Sequence, residues 1–294
     1  MRNYITGLTV DDVEFVRERI KTFNPHILRA YDHIGSNQKI HDLIISKNSY
    51  KTLVADSGTY VLNELGKRDN ADDYFNIWKG FLYKHAKDFE FYFNFDINFN
   101  GVLSFEENKK YQEQLESEGF NPVFVIHSFD EKEIKYVLDK NYEYVAIASA
   151  VLKNDDDFKK VVPYVKLFYD NGIKVHLLGC ASLKHLIEAK YAWSCDASSY
   201  GRWASFNKVI YISKIKKKEV VLSIHEKNSE DEYNLDYIYD EKNELLKSII
   251  EKVTYLKTEK SIKKSSDPTN FEIHIYPKIP KLGSILEYPL LCLY

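Results

Sequence analysis

The stretch Pro122–Ala148, PVFVIHSFDEKEIKYVLDKNYEYVAIA, decides the fold. It opens on the apolar run PVFVI (122–126), passes through DEKEIKYVLDK, whose apolar residues recur at helical spacing, and returns to a second apolar run, YVAIA (144–148). Short apolar runs without polar alternation are the pattern of strands buried on both faces, and a helix between two of them is the connection that parallel strands need. The unit predicts a parallel sheet covered by helices.

The pattern repeats on either side. Further candidate strands are ILRAY (27–31), TLVA (52–55), FEFYFNF (89–95), IKVHLL (173–178), YAWSC (191–195) and KVIYI (208–212). Helical spacing marks DDVEFVRERI, with Val13, Val16 and Ile20 on one face, and also DDYFNIWKGFLYKHAKD, FEENKKYQEQLESE and SLKHLIEAK. In the last of these Ser182 stands as a cap ahead of Leu183, Leu186 and Ile187. Eight candidate strands alternating with helices predict an α/β fold, a (β/α)8 TIM barrel, with an open parallel sheet as the alternative. A doubly wound nucleotide-binding sheet would carry a Gly-rich first turn, and neither G-x-G-x-x-G nor G-x-x-x-x-G-K-[ST] occurs.

After Ile212 the chain changes character, through the lysine-rich SKIKKKE, a helical pattern NELLKSIIEKVTYLK, a strand-like FEIHIY and a Pro-punctuated end. The expected division is a catalytic barrel over 1–214 and a C-terminal α+β extension over 215–294 that caps the barrel or binds nucleic acid. A chain of 294 residues with 44% apolar and 29% charged residues is long enough and apolar enough to bury such a core. Its formal charge of -3 makes no global case for a nucleic acid partner, leaving any such role to local lysine patches. Cys180, Cys195 and Cys292 form no C-x-x-C pair or zinc spacing, and the N-terminus has no apolar signal core. A cytoplasmic protein with no membrane partner is expected.

Catalytic groups of a parallel barrel sit where its strands end. Those positions hold Asp56 (TLVADSGTY), Asp96 (FYFNFDIN), His127 (PVFVIHSF), Ser149 (VAIASAV), His176 (IKVHLLG) and Asp196 (AWSCDASS). An aspartate after a strand is by itself more often a turn cap, but three at three strand ends point to a site. Gly58 permits a tight turn beside Asp56, and Tyr60 is either a stacking plate in the same cavity or one more packed tyrosine. His127 is the better candidate ligand contact; His176, followed by two leucines, reads as structural. The same carboxylates suit a metal hydrolase, although H-x-H and H-E-x-x-H are absent, or a double displacement at an anomeric carbon in which one carboxylate attacks while another manages the proton.

ADSGTYV and VHLLGCASLKHLIEAKYAWSCDASSY, in that order and about 120 residues apart, resemble the tRNA-guanine transglycosylase superfamily, most closely its short phage-type branch related to enzymes that insert 7-deazaguanines into DNA. The resemblance spans roughly residues 25 to 210. It implies that Asp196 is the nucleophile toward ribose C1′ and Asp56 the general acid/base. Tyr60 and Leu178, followed by Gly179, would sandwich the purine, and Asp96 would read its N1/N2 edge. His127 stands where the tRNA enzymes use Gln, and Ala148-Ser149 replaces a Gly-Gly pair. The family's zinc module is missing, so the polymer must be gripped otherwise. Arg202 and Trp203, just beyond the nucleophile, are the candidates for a phosphate and a base. The implied partners are DNA, slightly favoured over tRNA, and a free 7-deazaguanine-type base, with no cofactor and no metal. The family is often dimeric, largely through a surface near the missing module. A base–sugar hydrolase and a base-binding protein without turnover are the alternatives.

Overall fold

The computed structural model describes residues 1–7, 24–31, 50–59, 71–97, 105–148, 152, 155–180, 182–198, 208–213 and 218–223. They fall into two compact units, one holding those up to Ser198 and the other those from Lys208 onward.

The first unit is a seven-stranded, all-parallel curled sheet with helices. Its strands are β1 (Arg2–Thr6), β2 (His26–Ala30), β3 (Thr52–Asp56), β4 (Phe124–Ile126), β5 (Tyr144–Ile147), β6 (Lys174–Leu177) and β7 (Ser194–Ala197). Its helices are α1 (Ala71–His85), α2 (Phe105–Ser117), α3 (Glu131–Lys140), α4 (Asp155–Asp170) and α5 (Leu183–Glu188). The strand order is β3-β2-β1-β7-β6-β5-β4.

The β4–α3–β5 unit behaves as its sequence predicts. Ile134 and Val137 lie buried on one face of α3, each contributing about 1.5–3 kcal/mol by leaving water. Asn141 ends the helix in the left-handed conformation, with φ 50° and ψ 48°, where a short amide side chain is tolerated best after glycine. β4 then pairs with β5 in parallel, Val125 opposite Ala146. Alternation along the strands sorts their side chains. Tyr4, Leu28, Val54, Phe91, Phe93, Val123, Val125, Ala146 and Ala148 share one packed interior face, while Phe124 turns the other way, onto Tyr136 of α3 and Phe105 of α2.

Between β3 and β4 the aromatic segment FEFYFNF is not a regular strand. It makes isolated parallel bridges, Ala55 with Tyr92 and Phe93 with Val123. Phe93 donates its amide to Ala55 at 3.0 Å, and Val123 donates to Tyr92 at 2.8 Å. The segment thus touches both edges of the seven-stranded sheet.

Three expectations need correction. KVIYI is no eighth parallel strand: β8 (Lys208–Ser213) pairs antiparallel with β9 (Lys218–Ser223), Lys208 opposite Ser223. The few residues between them are too short for a parallel crossover and long enough for a hairpin. A strand that the sequence did not announce, β1, takes an interior place between β2 and β7; its polar Asn3 and Thr6 dilute the apolar signal. YAWSC is shifted, because the strand starts at Ser194 and carries Asp196 within its ladder, opposite Tyr4. Ser182 does stand at the N-cap of α5, but its hydroxyl makes no capping bond there. The expected elements DDVEFVRERI, NELLKSIIEKVTYLK and FEIHIY lie outside the described residues. Among the described residues no helix is long and apolar enough to cross a membrane.

Candidate active site

All strands of a parallel sheet end on the same side, so the residues at their C-terminal ends gather around one rim. Asp196 is held through both of its carboxylate oxygens. Its Oδ1 accepts the backbone N–H of Gly179 at 2.8 Å and lies 3.1 Å from Nε2 of His176; its Oδ2 accepts the Thr6 hydroxyl at 2.8 Å. Three strands contribute: β7 carries the acid, β1 the threonine, and β6 the histidine and the turn that follows it. Gly179 takes φ 63°, a left-handed conformation that an L side chain would strain, and so turns its amide toward the carboxylate. The Asp196 side chain is 8% exposed, yet no lysine or arginine among the described residues pairs with it.

Asp96 forms a second cluster. Oδ1 accepts the hydroxyls of Thr59 at 2.9 Å and Ser57 at 3.3 Å, and Oδ2 lies 3.0 Å from Nε2 of His127. Gly58, at φ 77°, makes the turn that brings both hydroxyls round. His127 and the next residue are fixed from behind by Glu133 of α3, whose Oε1 accepts the His127 amide at 3.2 Å and whose Oε2 accepts both the amide and the hydroxyl of Ser128, at 2.8 and 2.9 Å. Burial raises the pKa of Glu133 above the usual carboxylate range, and these bonds only partly offset it.

Asp56 closes β3 and is half-buried. The alternation that puts Val54 on the interior face puts Asp56 on that face too, two residues on. Leu178 packs half-buried against the interior cluster that includes Ala148. Direct contact therefore joins Asp96 to His127 and Asp196 to Gly179, which serves the nucleophile candidate through its amide. Tyr60, Ser149, Arg202 and Trp203 lie outside the described residues.

Sequence reasoning missed the partners more than the acids. His176, read as structural, is 1% exposed and holds Asp196; its Nδ1 meets the Ser194 hydroxyl at 2.7 Å. The one available signal was the shared parity of His176 and Asp196 on neighbouring strands. Thr6 was missed along with β1, while Ser57 and Thr59 were visible only as turn formers. Cys180, buried next to this cluster, has its thiol pKa pushed up to about 12, first by burial and then by the charge of Asp196, so it stays protonated and is no nucleophile. Among the described residues no three His, Cys, Asp or Glu side chains are grouped to hold a metal ion.

What this arrangement can do follows from its charges. A buried carboxylate held by a hydroxyl, an amide and an imidazole, with no lysine or arginine among the described residues beside it, is placed to meet a positive centre that arrives with a substrate.

No family model matches the chain, and no curated protein matches it. Among solved structures, the crystal structure of the YdjI aldolase from Escherichia coli K12 aligns over 87% of this chain and 90% of that one, with a TM-score of 0.45 and 11% identity.

Proposed function

We propose that the chain is a base-exchanging transglycosylase of the tRNA-guanine transglycosylase type, built on a closed (β/α)8 barrel. Support for closure comes from the pairing register. Followed from Asp196 through Tyr4, His26 and Thr52 and on across the Tyr92 and Phe93 bridges, it meets the β4 segment at position 119; followed through Leu178 and Ala148, it meets it at 127. The offset, 127 less 119, is eight residues for seven strands and one bridging segment, the stagger of a (β/α)8 barrel.

In this reading Asp196 attacks the sugar carbon, and the departing base takes a proton from Asp56. The free base, a 7-deazaguanine type, then returns the proton to Asp56 and displaces Asp196. The polymer is DNA in preference to tRNA, with Arg202 and Trp203 on its backbone and bases. Leu178 and Tyr60 flank the exchanged base, and Ser149 lies beside it. Asp96 and His127 read its polar edge together. Oδ1 of Asp96 already accepts two hydroxyls, leaving Oδ2 as the ready acceptor for a base N–H.

The observation that carries the reading is the setting of Asp196: buried, triply hydrogen-bonded and paired with no lysine or arginine among the described residues. An oxocarbenium-like sugar supplies the missing positive charge in the transition state. The test is exchange of radiolabelled guanine into bulk tRNA or double-stranded DNA, repeated with 7-deazaguanine bases. Label entering one polymer supports the reading and names the substrate; no label from any of these bases into either polymer overturns it. Release of free base without incorporation would make the protein a hydrolase, and tight binding without either would make it a base-binding protein.

A further inference from the structure

We infer that Ser194 and His176 form a hydrogen-bonded chain beneath Asp196 that assigns its two oxygens different duties, Oδ2 attacking and Oδ1 remaining anchored; this rests on the transglycosylase reading for its chemistry, though not for its geometry. Each carboxylate oxygen has two lone pairs. Oδ1 gives both away, to the Gly179 amide and to His176, whereas Oδ2 gives one, to Thr6. Among the bonds of the described residues one lone pair is left, on Oδ2, and that is the pair able to form a bond to carbon.

The protonation pattern follows from the partners. A carboxylate only accepts, so Nε2 of His176 carries the hydrogen it shares with Asp196, and in the neutral ring of this proposal Nδ1 accepts from the Ser194 hydroxyl. The ring is walled in by Tyr4, Phe91 and Phe93, with centroids 5.8, 6.1 and 5.2 Å away. In the first step the Oδ2–C1′ bond forms as the bond from C1′ to the base nitrogen breaks. The electron pair leaves with the base, which takes the Asp56 proton. Oδ1 is then the carbonyl oxygen of a glycosyl ester. When the incoming base attacks C1′ and gives its proton to Asp56, the bonding pair returns to Oδ2. The restored negative charge spreads onto Oδ1, where Gly179 and His176 wait with two N–H groups. These donors need no rearrangement as the charge returns, which makes Asp196 a better leaving group in the second half-reaction.

His176 acts through Asp196 and is a positioning residue. Two measurements test the chain. The first is the imidazole nitrogen spectrum of the full-length protein labelled with 15N-histidine, assigned by comparison with His176→Gln. The expected signature is an Nε2–H tautomer that becomes a tautomer mixture in Ser194→Ala; an Nδ1–H ring, or a tautomer indifferent to Ser194→Ala, overturns the inference whether or not the protein exchanges bases. The second is single-turnover breakdown of the covalent adduct. His176→Phe, which keeps the packing and removes the donor, should slow breakdown about 10²-fold with polymer affinity unchanged. His176→Gln, which restores an N–H, should recover about tenfold of that loss. Breakdown at the wild-type rate in His176→Phe overturns the inference while leaving transglycosylation intact. A wild-type protein that forms no adduct with tRNA or DNA overturns transglycosylation instead, and the nitrogen spectrum still decides the hydrogen-bonded chain.

Discussion

The two ends of the parallel sheet treat charge in opposite ways. At the end where the strands begin, Glu90 is gripped by a cation: Arg2 pairs with Oε1, and the Tyr4 hydroxyl donates to Oε2 at 2.7 Å. The Arg2 guanidinium also lies 4.4 Å from the centre of the Trp193 ring. Burial pulls the Glu90 pKa up, but the bonds from Tyr4 and Arg2 outweigh it and hold the carboxyl below its ordinary range. At the end where the strands finish, Asp96 and Asp196 receive hydroxyls, an amide and imidazoles, and no lysine or arginine among the described residues. The first arrangement serves the fold. The second buries carboxylates that no lysine or arginine among the described residues pairs with, which is more often the mark of a site than of a scaffold.

The sharpest way to break this comparison is Asp196→Ala. We expect exchange to fall at least about 10⁴-fold, as when a nucleophile is lost, while the thermal midpoint changes little because release of a buried charge offsets the three hydrogen bonds given up. Comparable turnover in the variant would remove Asp196 from the chemistry; a large drop in midpoint would make it a structural group like Glu90.

Glu90→Ala should behave in reverse. With its side chain 27% exposed, the loss is discounted to about 1–2 kcal/mol of unfolding free energy, and base exchange should be unchanged. Urea denaturation beside an exchange assay reads both. An exchange defect without a stability defect would erase the distinction between the two ends.

A pH experiment sharpens it further. His26, on the interior face where β2 begins, has its pKa lowered to about 4 by burial first and by Lys51 and Arg2 next. The unfolded chain, with an ordinary histidine near 6.5, binds this proton more readily than the folded one. The contribution is therefore fully present above about pH 6.5 and is lost as pH falls toward 4. Melting curves across that window should show stability declining on acidification, less steeply in His26→Asn. Equal slopes in both proteins would count against the assignment.

The smallest effect is expected at the rim. Thr59→Val removes one of the two hydroxyls on Oδ1 of Asp96 and frees a lone pair for the base. The Michaelis constant for the free base should fall about two- to tenfold with kcat little changed, and a rise would mean that Thr59 orients Asp96 instead of competing for it.

How legible this protein is depends on how local the signal is. β4 and β5 were legible because they are buried and read as nearly unbroken apolar runs, and β6 because Val175, Leu177 and Leu178 keep its run apolar around His176. The helix between β4 and β5 followed from the spacing of Ile134 and Val137. The helix between β5 and β6 was not singled out, although its buried Phe158, Val161, Val165 and Phe168 stand at helical spacing. β1 was hidden because Tyr4 and Thr6 carry polar groups on the interior face, serving Glu90 at one end and Asp196 at the other. KVIYI has the composition of a barrel strand but pairs with its nearest neighbour in a hairpin, a choice of partner that composition does not express.

The sequence by itself determined the class of the fold and the positions of its acids: apolar runs separated by helical periodicities, with Asp56, Asp96 and Asp196 after or within them. Only the tertiary structure decided what state those acids are in. Asp196 has partners 190, 20 and 17 positions away, and Asp96 has partners 39, 37 and 31 positions away. Those contacts depend on which strands become neighbours and on the parity of each residue in its strand. Hydrogen bonds act over about 3 Å in space, whatever the distance along the chain.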